Sequence, residues 1–216
     1  MSKSHTEKIK CPKCGAESDI LIWETIDTSL DPQMKAQVRS GEAFRWKCTE
    51  CGEETLVFYP IIYHQVNDRY IIAFAPGNPD AAVQYMNELS VDNKSGYTFD
   101  TGYTKRVVSD MNRFREKLLI LDEGLDDRVI ELMKLFVISE AVKSDPGLKL
   151  KAVFFNKDKD GAFSFALQSE EDKWAASPFT KENYDQVAKT FITDIAADTE
   201  PVVDMAWAME KMNRHI

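Results

Sequence analysis

Residues 18–25 (SDILIWET) alternate enough between polar and apolar positions to predict a strand. Asp31-Pro32 then opens a short helix, PQMKAQVRSG, for which Gly41 is a fitting C-cap. Residues 44–47 and 54–63 read as two further strands, and after a turn at Asn67-Asp68 the stretch 69–74 supplies a hairpin partner. Downstream the period changes. Asn78 caps a helix with Pro79 at its first position, running to about Leu89. Residues 91–103 (VDNKSGYTFDTGY) are expected as a loop, followed by helices over 105–121 and, after Gly124, over 127–142. Asp145-Pro146-Gly147 is a strong stop. KAVFF and AFSFAL then flank NKDKDG as a β-hairpin, Thr180 caps a helical segment to about Ala196, and Glu200-Pro201 begins a last short helix.

Composition sets bounds on this pattern. The 216 residues are 44% hydrophobic and 29% charged, enough to build a core. The net charge of −9 weighs against nucleic acid and anionic membranes as partners. The start MSKSHTEKIK is polar. The most apolar run, 129–142, is interrupted by Glu131, Lys134 and Glu140 and is shorter than the roughly 20 residues of a membrane span. A cytoplasmic chain is therefore expected, where CxxC thiols bind metal or do redox work instead of forming structural disulfides.

Four cysteines are present, as CPKCG (Cys11, Cys14) and CTECG (Cys48, Cys51). Two intervening residues let both sulfurs of a turn face one ion, and Gly15 and Gly52 suit the left-handed backbone that follows such a turn. Two such knuckles beside predicted strands are the signature of a zinc ribbon. The 33 residues between Cys14 and Cys48 exceed the usual spacing, and the inserted helix accounts for them at small loop-closure cost. A redox pair would occur once, at a strand-to-helix junction, so the duplication favours metal. Zinc held by Cys11, Cys14, Cys48 and Cys51 in a closed, structural site is the expectation, with iron the alternative for four thiolates. Lys10, Lys13 and Lys47, next to the ligands, are expected either to offset the thiolate charge or simply to be solvated.

CPKCG, the helix-bearing insert, FRWKCTECG, VFYPIIYH and EKLLILDEGLDDRVIELMK together resemble the CpXC domain over roughly residues 9–142. Thr49 stands where the second knuckle of that family has proline, which alters stiffness and not ligation. The resemblance implies a metal-binding bacterial or archaeal domain and implies no particular reaction.

Other features are chemically suggestive. Asn156, Asp158, Asp160 and Gly161 match the start of a calcium loop, but Leu167 occupies the position of its bidentate glutamate, so a hairpin turn is expected. Asp122, Glu123, Asp126, Asp127 and Glu131 form an acidic cluster best explained by a helix N-terminus. His5, His64 and His215 have no ligand spacing. No G-x-S-x-G, Walker or dinucleotide motif occurs. Trp23, Phe44, Trp46, Phe58, Tyr59, Tyr63, Tyr70 and Phe74 are expected to fill the ribbon's core. Val202, Met205, Met209 and Met212 recur at helical spacing, as a stripe that packs on the hairpin or docks on a partner.

The predicted fold class is α+β. A zinc-ribbon-like antiparallel β domain with a helical extension occupies 1–145, and a C-terminal hairpin-and-helix unit occupies 148–216. The favoured function is an interaction or scaffold module acting through a protein partner or self-association. Two alternatives stand beside it: a hydrolase-like enzyme using the acidic cluster between the units, and a nucleic-acid-binding ribbon on which Arg39, Arg45 and Lys47 gather.

Overall fold

In the computed structural model, which describes residues 2–89, 99 and 102–215, the α+β class is realised by two units, Met1–Phe114 and Arg115–Ile216. The first is built on a five-stranded sheet of order β1-β2-β5-β6-β7, with β1 Lys3–Lys10, β2 Glu17–Asp27, β5 Ile61–Gln65, β6 Tyr70–Phe74 and β7 Thr104–Val108. The sheet is mixed, not antiparallel throughout. β1–β2 and β5–β6 are hairpin pairs, whereas β2–β5 and β6–β7 are parallel. The chain between each parallel pair is long, as parallel pairing requires. Only Thr25–Asp27 of β2 reach β5, so the rest of β2 pairs with β1 alone.

Helix α1 (Gln33–Ser40) ends at Gly41, whose φ of 82° is the left-handed C-cap. A single 3-10 turn (Glu42–Phe44) leads into β3 (Arg45–Lys47), which pairs with β4 (Glu54–Leu56). The expected strand 54–63 is broken over 57–60, where the Val57 N–H still donates to the Phe44 carbonyl at 2.8 Å and Pro60 has no N–H to donate. Asn78 caps α2 (Pro79–Glu88) by accepting the Asp80 N–H. The helix expected over 105–121 begins as β7. Helix α3 (Met111–Asp122) starts only after the Asp110 carboxylate has accepted the N–H groups of Asn112 and Arg113. Of the expected loop 91–103, residues 91–98, 100 and 101 lie outside the described residues.

Of the expected aromatics, Phe44, Tyr63, Tyr70 and Phe74 are fully buried and Trp46 and Tyr59 are buried, and Phe114 joins them, stacked on Phe74 at 5.4 Å. Trp23 is half-buried and Phe58 exposed.

The second unit holds α4 (Asp127–Ser144) and a sheet of order β10-β9-β8, from β8 Leu150–Lys157, β9 Phe163–Ser169 and β10 Trp174–Pro178. Ile120, Ile130, Met133, Val153, Phe155, Phe165 and Leu167 form its core. The β8–β9 turn is a hairpin in which Asp158 accepts the N–H groups of Asp160 and Ala162, and Gly161 takes φ 89°. Helices α5 (Lys181–Thr190) and α6 (Ile192–Ala197) follow. Helix α7 (Met205–Asn213) is capped by Asp204, later than the Pro201 start expected. Its buried face is Trp207, Ala208 and Lys211, with Trp207 and Ala208 clustered with Leu132 and Phe191, so it packs on α4 and not on the hairpin. The methionine stripe is thus split: Met212 packs against the cluster, whereas Met209 is 53% exposed. Among the described residues, no helix is long and apolar enough to cross a membrane.

Candidate metal centre

β1 delivers Cys11 and β2 leaves after Cys14, while β3 delivers Cys48 and β4 leaves after Cys51. The two turns repeat one hydrogen-bond pattern. Gly15 N–H donates to the Cys11 carbonyl and Gly52 N–H to that of Cys48, each at 3.0 Å. Cys11 N–H donates to the Ala16 carbonyl and Cys48 N–H to that of Glu53, each at 2.8 Å. Both glycines take positive φ, 76° and 70°, which closes the turn where a Cβ would be strained. Proline in the first knuckle and Thr49 in the second therefore give the same backbone.

The four Sγ atoms lie within 4.8 Å of one another, positioned to bind a metal ion. Cys11–Cys51 and Cys14–Cys48 are each separated by 3.7 Å. Sulfurs at about 2.3 Å from a tetrahedral ion stand about 3.8 Å apart, whereas a disulfide would bring them to about 2.0 Å. The observed spacing fits a single ion, and all four cysteines are free thiols. Cys11 and Cys48 are buried, Cys14 and Cys51 exposed. The Cys14 N–H, aided by that of Lys13, draws the Cys11 thiol down to about 7. Cys14 is pushed up to about 12: the Ala16 N–H favours its thiolate, but the thiols of Cys51, Cys11 and Cys48 together with burial outweigh it. Thiols this close resist ionising together unless a cation compensates them.

Lys13 reaches from the first knuckle to Glu53 beside the second, at 2.9 Å. Lys47 pairs with Glu54 at 2.9 Å, and Arg45 with Glu42 at 2.9 Å and Glu54 at 3.3 Å. These lysines neutralise carboxylates in addition to any effect on sulfur, and such exposed pairs contribute little to stability. Arg39 does not join them. It turns inward, donating to the hydroxyls of Tyr63 (2.7 Å) and Tyr70 (3.0 Å) and to Gln65 (3.0 Å).

The acidic cluster separates into unrelated roles. Asp126 caps α4 by accepting the Arg128 N–H, and Glu123 pairs with Lys157 at 2.6 Å. Asp127 and Glu131 are fully buried, with Lys117 at 2.9 and 3.2 Å respectively. Lys134 joins Glu131 (2.9 Å) to Glu116 (2.8 Å), which also accepts the Phe155 N–H. Burial raises the Glu116 carboxyl, with repulsion from Glu131 adding to it and Lys134 opposing. Burial acts on Glu131 too, but Lys117 and Lys134 outweigh it and hold that carboxyl low. Glu116 and Lys117 carry no sequence signal of their own, and Lys134 reads there only as a break in an apolar run. The available signal was the i, i+4, i+7 spacing of Asp127, Glu131 and Lys134, which puts them on one face of an otherwise apolar helix.

The histidines stand apart from the sulfurs. His5 lies between Glu7 and Glu24, each at 2.9 Å, and His215 beside Asp194 at 2.7 Å. Burial pushes His64 down to about 4, beside Tyr103 and Phe99.

Fold and site together define an α+β protein with a two-knuckle, four-cysteine centre. The family model described as CpXC protein matches residues 9–134, and the chain belongs to that family. No curated protein and no solved structure matches it.

Proposed function

We propose that this chain is a zinc protein in which Cys11, Cys14, Cys48 and Cys51 hold a structural ion, and that it works in the cytoplasm of a bacterial cell as an interaction or scaffold module. The 3.7 Å sulfur pairs carry the metal reading. Bound zinc would supply a tetrahedral cross-link and charge compensation for the thiolates. With all four positions taken by protein, it would leave none for an activated water. Two observations favour a module over the alternatives. The carboxylates of Asp127 and Glu131 are committed to buried lysines, and Arg39 is committed to the core instead of a basic ribbon face.

Metal analysis of the purified chain is expected to give one zinc per chain, with Cys48→Ser losing both the metal and the fold of the ribbon, since structural zinc supplies on the order of 10 kcal/mol. Neither zinc nor iron in stoichiometric amount would refute the centre, and iron alone would change the metal and keep the ligands. Affinity capture from the native cell tests the module reading, which fails if the chain is monomeric and recovers no partner.

A further inference from the structure

Strand β10 lies at an edge of its sheet, paired with β9 on one side only. Edge strands present unpaired N–H and C=O groups, and proteins usually guard them with charge. Two other edges here are guarded: β1 carries Lys3, Glu7, Lys8 and Lys10, and β8 carries Lys151 and Lys157. β10 reads WAASP, without a charge, and its Trp174 is 58% exposed.

The register shows what lies beside this edge. Ala175 opposes Leu167 and Ser177 opposes Phe165, so the two small residues share the face of two buried large ones. Side-chain volume therefore falls away towards the edge. A cavity of about 360 Å³ lies between Ser177 and Pro178, the α4 residues Met133, Phe136 and Val137, and helix α5, with Phe165 lining it. A second, of about 570 Å³, lies between Lys173 and Ala175, Ala141 of α4, and Asp145 with residues 147–150, which lead from α4 into β8. Succeeding one another along β10 and along α4 from Met133 to Ala141, they line a groove of roughly 12 Å, from the rise of about 1.5 Å per helical residue. That length accommodates about four residues of extended chain.

We infer that this groove takes an extended peptide from another protein, which pairs with β10 as a fourth strand and sends alternate side chains into the two cavities. Charge selects the occupant. The cavity walls carry Glu140, Asp145, Glu170 and Glu171, with Lys143 paired to Glu140 and Lys173 to Glu171, so that Asp145 and Glu170 face Lys149 and leave the walls acidic. With a net charge of −9, a second copy of the chain is repelled from this surface, whereas a basic segment is attracted. The fitting strand has an aromatic side chain for the cavity beside Phe165 and a Lys or Arg two residues away on the same face. The inference rests on the interaction reading above but uses no residue of the metal centre.

The test uses the zinc-loaded full chain and three labelled heptapeptides. These are Arg-Val-Phe-Val-Lys-Val-Thr, the same with Glu for Arg and Lys, and the first N-methylated at alternate backbone nitrogens. The basic peptide is expected to bind and to shift the backbone amide signals of 173–177. The acidic version should bind about tenfold more weakly or worse, and N-methylation in the pairing register should abolish binding. Ala175→Glu, which places a charge on the exposed groove face, should also abolish it with the melting temperature unchanged. If that variant unfolds, the amide shifts and the N-methylated peptide decide. Absence of binding, amide shifts elsewhere, or binding indifferent to N-methylation overturns the inference. So does dimerisation through β10, which would make the occupant a second copy. A chain that captures partners in cells and ignores the basic peptide loses the groove and keeps the module reading; one that captures none loses that reading itself.

Discussion

Glu116 and Glu131 share one buried cluster and pull stability in opposite directions with pH. Lys117 and Lys134 supply two positive charges against the three carboxylates of Glu116, Asp127 and Glu131, so a proton on Glu116 makes the cluster neutral. The raised Glu116 carboxyl contributes stability that is full below its unfolded value of about 4.3 and is lost as pH rises through the folded value. The lowered Glu131 carboxyl contributes stability that is present above that unfolded value and lost as pH falls through its own folded value. Urea unfolding from pH 4 to pH 8 is therefore expected to separate the two. Glu116→Gln, mimicking the protonated acid, should gain on the parent as pH rises. Glu131→Gln, which strips Lys117 and Lys134 of a buried counter-charge, should cost about 3–5 kcal/mol at neutral pH. Equal losses in both variants at neutral pH would show that Glu116 is ionised. None of this was legible beforehand, because Glu131 and Lys134 read as interruptions of an apolar run and not as a paired core.

Among the elements, helix caps and knuckles were readable because each rests on local chemistry. Gly41, Asn78, Asp126 and Thr180 all cap as their residue types dictate. Strands were missed where burial is one-sided or absent. β1 is exposed along nearly its whole length, so no alternation marks it, and β10 is an uncharged edge of small residues. β7 was hidden inside a helical reading because Val107 and Val108 are defined by pairing with β6, a long-range fact. The same limit concealed the parallel pairings. Helix α7 shows the converse error, in which a conspicuous methionine stripe drew attention from the side that packs. Trp207→Ala is expected to cost about 3–5 kcal/mol, since its ring is buried near Leu132 and its indole N–H donates to Asp198 at 2.9 Å. Met209→Ala should stay within about 0.5 kcal/mol. Denaturant titration of both variants checks the assignment, and a larger loss at Met209 would reverse it.

For the whole molecule, the four-cysteine cluster joins segments that are far apart in sequence, because Cys14 and Cys48 are separated by 33 residues. Chelation is expected to remove hydrogen-exchange protection from β1 to β4, while α4 and β8 to β10, whose core contains no cysteine, keep theirs. Uniform loss across the chain would contradict that division. The placement of the ligands also has a consequence during synthesis. Cys51, the last of them, precedes Arg115 by roughly 60 residues. At about 5–20 residues per second, translation takes roughly 3–12 s to cover that distance. The ribbon thus has a complete set of thiols, and a period in which to acquire its ion, before any residue of the second unit has been made.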